Sequence, residues 1–177
     1  MSKNKVELPK TVVLVGMMGV GKTSIGRKLA KHLDVLFKDS DQEVEKAAGC
    51  SVSDIYDFYG EAAFVDAERR VIARLLDEKP HILSTGVGAF VTPENRATIK
   101  HKGFSIWLDA SYETLISRVN RRTHRPQLEE GDKSENLKQY MEKFTPIYAE
   151  ADLHISCDNQ PPEKTVELII DALEKNF

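Results

Sequence analysis

The segment Gly16-Met17-Met18-Gly19-Val20-Gly21-Lys22-Thr23 constrains this chain more than any other stretch of its sequence. It fits the spacing G-x-x-x-x-G-K-[ST] and lies between an apolar run, Thr11–Val15, and a helix-like segment. Glycines at these positions let the backbone curl so that successive N–H groups converge on phosphate oxygens. The helix that follows adds its unpaired N-terminal donors and its dipole. Lys22 is then placed to reach the outer phosphates, the Thr23 hydroxyl faces a Mg²⁺ position, and Ser24 is expected among the nucleotide-binding residues. The bland alternative is a glycine-rich turn capping an ordinary helix. With the strand before and the helix after, the residues point to a bound nucleoside triphosphate.

A chain of 177 residues is long enough for one compact α/β domain with a full core. Its 25 basic and 28 acidic side chains leave a formal charge of −3, so no general field attracts nucleic acid or an anionic membrane. Neither partner is expected, and any basic cluster is local. Cys50 and Cys157 lie far apart without C-x-x-C spacing, which predicts reduced, mostly buried thiols. The scattered histidines (32, 81, 101, 124, 154) form no metal-ligand pair. No apolar stretch approaches the length of a membrane span, and Met1 to Lys10 lacks the apolar centre of a signal peptide. A cytoplasmic enzyme is the expectation.

Short apolar runs alternate with amphipathic segments, the pattern of repeated βαβ units. Strands are predicted at Thr11–Val15, Val35–Lys38, His81–Ser84, Ser105–Leu108 and His154–Ser156. Helices are predicted at 22–33, 41–48, 52–58, 61–77, 93–100, 112–121, 134–150 and 162–175. In the helix 61–77, Ala63, Ala67, Ile72 and Leu75 are assigned to the inner face and the charged residues to the outer one. Arg122 to Lys133, charged and containing Pro126 and Gly131, has the composition of a lid over phosphates.

Three further constellations bear on chemistry. Asp39-Ser40-Asp41 follows the second strand, at the sheet edge where α/β proteins bind ligands. One carboxylate can hold Mg²⁺ through water while the other accepts a proton from an attacking hydroxyl. The competing reading is that Asp41 caps the next helix. The third strand ends in Ser84-Thr85-Gly86-Val87-Gly88, where glycines allow close backbone approach or simply a tight turn. Arg118, Arg121, Arg122 and Arg125 place four arginines within eight residues, suited to phosphoryl oxygens or to a solvated loop.

In this order, GMMGVGKT, DSD, GEAAF-x-x-x-E, STG-x-G, R-x-x-R-x-x-R-P and PIYAEAD, the chain resembles the shikimate kinase family from about Thr11 to its last helix. The resemblance implies a three-layer P-loop fold. Its five-stranded parallel sheet, order 2-3-1-4-5, is flanked by helices and carries a lid. It also implies ATP-dependent phosphorylation of the shikimate 3-hydroxyl in aromatic amino-acid biosynthesis. On that basis residues 1–177 form one kinase domain, with a lid at about 122–133 and an acceptor-binding helical region at about 41–70. Lys22, Gly19 and Gly21 correspond to phosphate-binding positions, and Thr23 and Asp39 to the Mg²⁺ side. Asp41 corresponds to the carboxylate that grips the acceptor hydroxyls and assists deprotonation. Phe64, Glu68, Gly86 and Gly88 match acceptor-side positions. Arg118 corresponds to the arginine on adenine, the Asp158–Pro162 loop to the adenine-side loop, and Arg125 to the lid arginine at the transferring phosphate. ATP and Mg²⁺, a small-molecule acceptor (shikimate or a related polyol) and a monomer are the implied partners and state.

Three positions depart from the family pattern. Val65 stands where the family has arginine, Val87 where it has the central glycine of G-G-G, and Phe144 where it has the arginine before P-x-Y. The family uses all three to hold shikimate, two of them on its carboxylate. A charge-assisted hydrogen bond contributes about 1.5–3 kcal/mol, so losing two predicts roughly two to four decades of affinity. Arg69, one turn beyond Val65, is either a partial substitute or a surface ion pair. Three readings stand: a shikimate kinase with changed affinity, a related kinase whose acceptor lacks a carboxylate, and a nucleotide-binding module without catalysis. Retention of Lys22, Thr23, Asp39, Asp41 and Arg125 argues against the last.

Overall fold

The computed structural model describes residues 6–120 and 133–177. Five strands, β1 (Thr11–Val15), β2 (Phe37–Asp39), β3 (Ile82–Ser84), β4 (Gly103–Asp109) and β5 (Leu153–Ser156), form one sheet in the order β2-β3-β1-β4-β5. Every pairing is parallel. This is the sheet order that the motif series implies. Helices α1 (Lys22–Leu33), α2 (Ser40–Ala48), α3 (Val52–Tyr59), α4 (Glu61–Leu76), α5 (Pro93–Lys102), α6 (Tyr112–Asn120), α7 (Lys133–Tyr148) and α8 (Pro162–Asn176) surround it.

β1 is central, and Val12, Val13, Leu14 and Val15 are all buried, as a strand covered by helices on both faces requires. Ile25, Leu29, Ala30 and Leu33 of α1 pack into the same core. The chain leaves β1 toward β3 and β2 on one side and later builds β4 and β5 on the other. That reversal opens a crevice at the C-terminal end of β1, and the glycine-rich segment lies there.

α4 departs from its predicted face. Its buried stripe is Phe64, Glu68, Val71, Ile72, Leu75 and Leu76, whereas Ala63 and Ala67 are only half-buried. A carboxyl side chain thus occupies a core position that the pattern gave to alanine. Packing of α4 against α2, α3 and α5 encloses it. Both cysteines are free, and Cys157 is buried as expected, whereas Cys50 is half-exposed. No helix among the described residues is long and apolar enough to cross a membrane. The arginines at 121, 122 and 125 and the predicted lid, up to residue 132, lie outside the described residues.

Candidate active site

The glycine-rich segment is a compact anion cradle. Gly16, Gly19 and Gly21 have φ of 143°, 82° and 105°, a region that side-chain-bearing residues rarely enter. A Cβ on Gly16 would also lie 2.5 Å from the Leu108 carbonyl oxygen of the neighbouring strand. Gly21 leads directly into α1, whose first turn has no acidic residue to compete for an anion. Lys22 Nζ lies over the loop and donates to the carbonyls of Gly16 (2.6 Å) and Met17 (2.9 Å). From α6, Arg118 Nη1 donates to the carbonyls of Gly19 (3.2 Å) and Val20 (2.9 Å), tying down the loop's far side.

Thr23 and Asp39 come together. The Thr23 hydroxyl donates to Asp39 Oδ2 at 3.2 Å. Asp39 Oδ1 also accepts from the backbone N–H of Gln42, so Asp39, not Asp41, caps α2. Asp41 sits in the helix's first turn and is not its cap, against the competing reading. A hydroxyl beside a carboxylate, with phosphate oxygens to complete the set, suits a hard cation such as Mg²⁺. Among the described residues no group of three or more His, Cys, Asp or Glu could hold a metal.

A cavity of about 380 Å³ runs from this cradle toward α2 and α3. Lys22, Thr23 and Ser24 line one end and Asp41, Glu45, Ser53 and Val87 the other. Gly86 closes against Asp41: a Cβ there would sit 2.9 Å from Asp41 Oδ1. Gly86→Ala should therefore push the Asp41 carboxylate aside and lower kcat/KM by about 10- to 100-fold, the scale of an ångström-sized misplacement. Steady-state kinetics beside a thermal melt checks this; unchanged kinetics would show that Asp41 need not hold that position. Gly88 meets nothing within 4 Å, so the close approach is confined to Gly86.

Phe64 and Glu68 do not line the cavity. Phe64 is buried against Tyr56, with ring centroids 5.0 Å apart. Glu68 is 1% exposed, and its Oε2 has no hydrogen-bond partner among the described residues. Burial, with a smaller contribution from the nearby charge of Asp41, pushes its pKa up to about 8. Burial likewise raises Tyr56, beside Glu61, Glu68 and Asp41, to about 12.

The three departing residues take different places. Val87 lines the cavity, and its carbonyl accepts a 2.6 Å hydrogen bond from the buried Tyr148 hydroxyl. Phe144 is buried between Tyr140 and Tyr148, at centroid distances of 5.2 and 6.1 Å. Val65 is half-buried beside a separate shallow depression that it shares with Arg69 and Thr92. Arg69 is bound to Asp66 at 2.9 Å, the surface ion pair of its two readings.

On the opposite side of the glycine-rich loop, Arg118, Cys157, Gln160, Pro162 and Thr165 line a second cavity of about 350 Å³. Asp158 fixes its rim by accepting from the Ser111 N–H at 2.9 Å. Burial pushes the Cys157 thiol up to about 11, so it is no nucleophile there. Sequence reasoning missed Glu45 and the Tyr148–Val87 bond. Glu45 was detectable, because it lies four residues after Asp41 on the same helix face. The bond joins residues 61 apart and has no local signature.

The comparisons agree with this geometry. The family model for shikimate kinase matches residues 18–174. A shikimate kinase of Caulobacter vibrioides is 51% identical over 166 residues, covering 94% of this chain and 83% of that one. One from Paramagnetospirillum magneticum is 49% identical over 164 residues, with 93% and 84% covered. Among solved structures, the shikimate kinase from Acinetobacter baumannii in complex with shikimate superposes with a TM-score of 0.90 at 31% identity, covering 94% of each chain. A glycine-rich cradle at the sheet's switch point, a carboxylate opposite it and likeness along nearly the whole length converge on one assignment: the chain belongs to the shikimate kinase family of ATP-dependent small-molecule kinases.

Proposed function

We propose that this chain transfers the γ-phosphoryl group of ATP to the 3-hydroxyl of shikimate, in an acceptor pocket altered from the family pattern. The observation that carries the reading is the single cavity with Lys22 and Thr23 at one end and Asp41 at the other. The loop N–H groups and Lys22 hold the outer phosphates, and the base packs in the cavity beside Arg118. Thr23, with Asp39 behind it, would hold Mg²⁺, which neutralises charge on the phosphates when bound. Asp41 orients the acceptor hydroxyl and takes its proton as the oxygen attacks phosphorus, and the ADP oxygen leaves on the opposite side. Arg125 completes the phosphoryl clamp from the lid at about 122–133, over an acceptor-binding region at about 41–70. Together these make one kinase domain, acting as a cytoplasmic monomer.

The alteration lies at Val65, Val87 and Phe144; of these Val87 lines the cavity, and none supplies the cation that a carboxylate takes. A coupled ADP-release assay with shikimate tests both parts. The expected result is acceptor-dependent turnover with weak saturation. Installing Val65→Arg with Val87→Gly should then tighten the KM for shikimate by about tenfold or more, the equivalent of roughly one charge-assisted hydrogen bond. Phe144 is left in place because an arginine among Tyr140 and Tyr148 would strain the core. Tight saturation by the unaltered chain would refute the altered pocket, and no acceptor-dependent ADP release would refute the activity.

A further inference from the structure

Thr85, Gly86 and Val87, the three residues after β3, line the cavity, and each is tied to a different element. Thr85 is tied to β1: its N–H (3.2 Å) and its hydroxyl (2.7 Å) both donate to the Leu14 carbonyl. Gly86 is tied to α2, where its N–H donates to the Ser40 hydroxyl at 3.2 Å, one residue before Asp41. Val87 is tied to α7, because its carbonyl accepts from the Tyr148 hydroxyl at 2.6 Å.

Tyr148 is buried behind this wall, with its ring against Trp107 of β4 and Phe144 of α7. Burial holds its phenol well above the ordinary pKa, so the hydroxyl keeps its proton and remains a donor. A donor on a packed, rigid ring fixes the carbonyl it meets and with it the plane of the following peptide. The neighbouring Gly86 lies so close to Asp41 that a Cβ there would sit 2.9 Å from Oδ1. A backbone released at Val87 therefore shifts Gly86 against the carboxylate that it abuts.

We propose that Tyr148 is a positioning residue for the phosphoryl transfer: its hydroxyl holds the Gly86–Val87 backbone that sets the Asp41 carboxylate against the acceptor. The inference rests on the role of Asp41 proposed above. It adds a residue 61 positions along the chain from the carbonyl it holds, outside every motif of the site.

Tyr148→Phe keeps the ring and removes only the donor. ADP release by the full chain with Mg·ATP is measured against shikimate concentration, beside calorimetric ATP titration and a thermal melt. The expected result is a loss of about 10- to 100-fold in kcat/KM for shikimate, the scale of an ångström-sized misplacement. ATP affinity should change by less than about twofold, because the phosphate cradle is held by other bonds. In an Asp41→Asn background the same substitution should lower kcat by less than about threefold, since residues that act through one another are not additive. Ser105→Ala, which removes a buried β4 hydroxyl bonded to Asp152 at 3.2 Å, is the structural comparison: its Tm should fall and its kcat/KM stay. Unchanged kcat/KM in Tyr148→Phe, an equal loss in Ser105→Ala, or an additive loss in the double variant overturns the proposal and leaves the phosphoryl transfer standing. If the unaltered chain binds ATP yet releases no ADP in response to shikimate, the transfer reading falls and this inference with it.

Discussion

Replacing Asp41 with asparagine is expected to lower kcat by about two to four orders of magnitude, the range set by loss of a positioned general base. The substitution keeps the side chain's size and one acceptor oxygen but removes its charge and its ability to take a proton. Asp41 is held in the first turn of α2 by a helix that Asp39 already caps, and Gly86 abuts its carboxylate. The backbone should therefore stay where it is. ATP affinity should change by less than about twofold, because Lys22, the loop and Arg118 lie at the other end of the site and distant sites act independently. Steady-state kinetics and calorimetric ATP titration together separate the outcomes. A loss of less than about tenfold in kcat with a raised acceptor KM would make Asp41 an acceptor ligand that takes no proton.

β1 and α1 were legible to the residue at both ends because their signals are local. A strand buried on both faces reads as an unbroken apolar run, and Gly21-Lys22 marks the helix start. β2 was not, and it starts two residues later than the apolar run. Val35 N–H bonds back to Ala30 and serves the exit of α1, and Leu36 is 69% exposed. β4 is longer than its apolar stretch because Gly103 and Phe104 join the ladder beside Thr11 and Val12. Backbone pairing needs no particular side chain there.

The nucleotide side of the site was legible because its parts are one contiguous motif and a nearby strand end. The acceptor side was legible only as residues. Its character depends on which charged side chains the packing encloses. Glu68 has two arginines directly after it and reads as part of a solvated face. Only the docking of α4 on α2 and α3 turns it inward, while Arg69 and Arg70 turn out to Asp66.

That buried carboxyl gives the largest expected effect on stability. Folding raises the pKa of Glu68 from 4.5 to about 8, chiefly by burial. Between those values the native state keeps a proton that the unfolded chain releases, so the native state binds more protons and stability falls as pH rises. The loss begins near pH 4.5 and is complete near pH 8, above which Glu68 ionises in the fold as well. At about 1.4 kcal/mol per pKa unit, it amounts to roughly 3–5 kcal/mol across the interval, a large share of a domain's total stability. Glu68→Gln cannot titrate and removes this slope. Its stability relative to the unaltered chain should therefore climb by that amount from pH 5 to pH 8, whatever the offset at pH 5 from repacking the amide. Urea unfolding at several pH values reads the difference directly. Asp41→Asn should shift the upper end of the loss to lower pH by a smaller amount, because the charge of Asp41 is the lesser cause. Parallel pH profiles for the Glu68→Gln variant and the unaltered chain would mean that Glu68 is already ionised in the fold, with a cation or water reaching its Oε2.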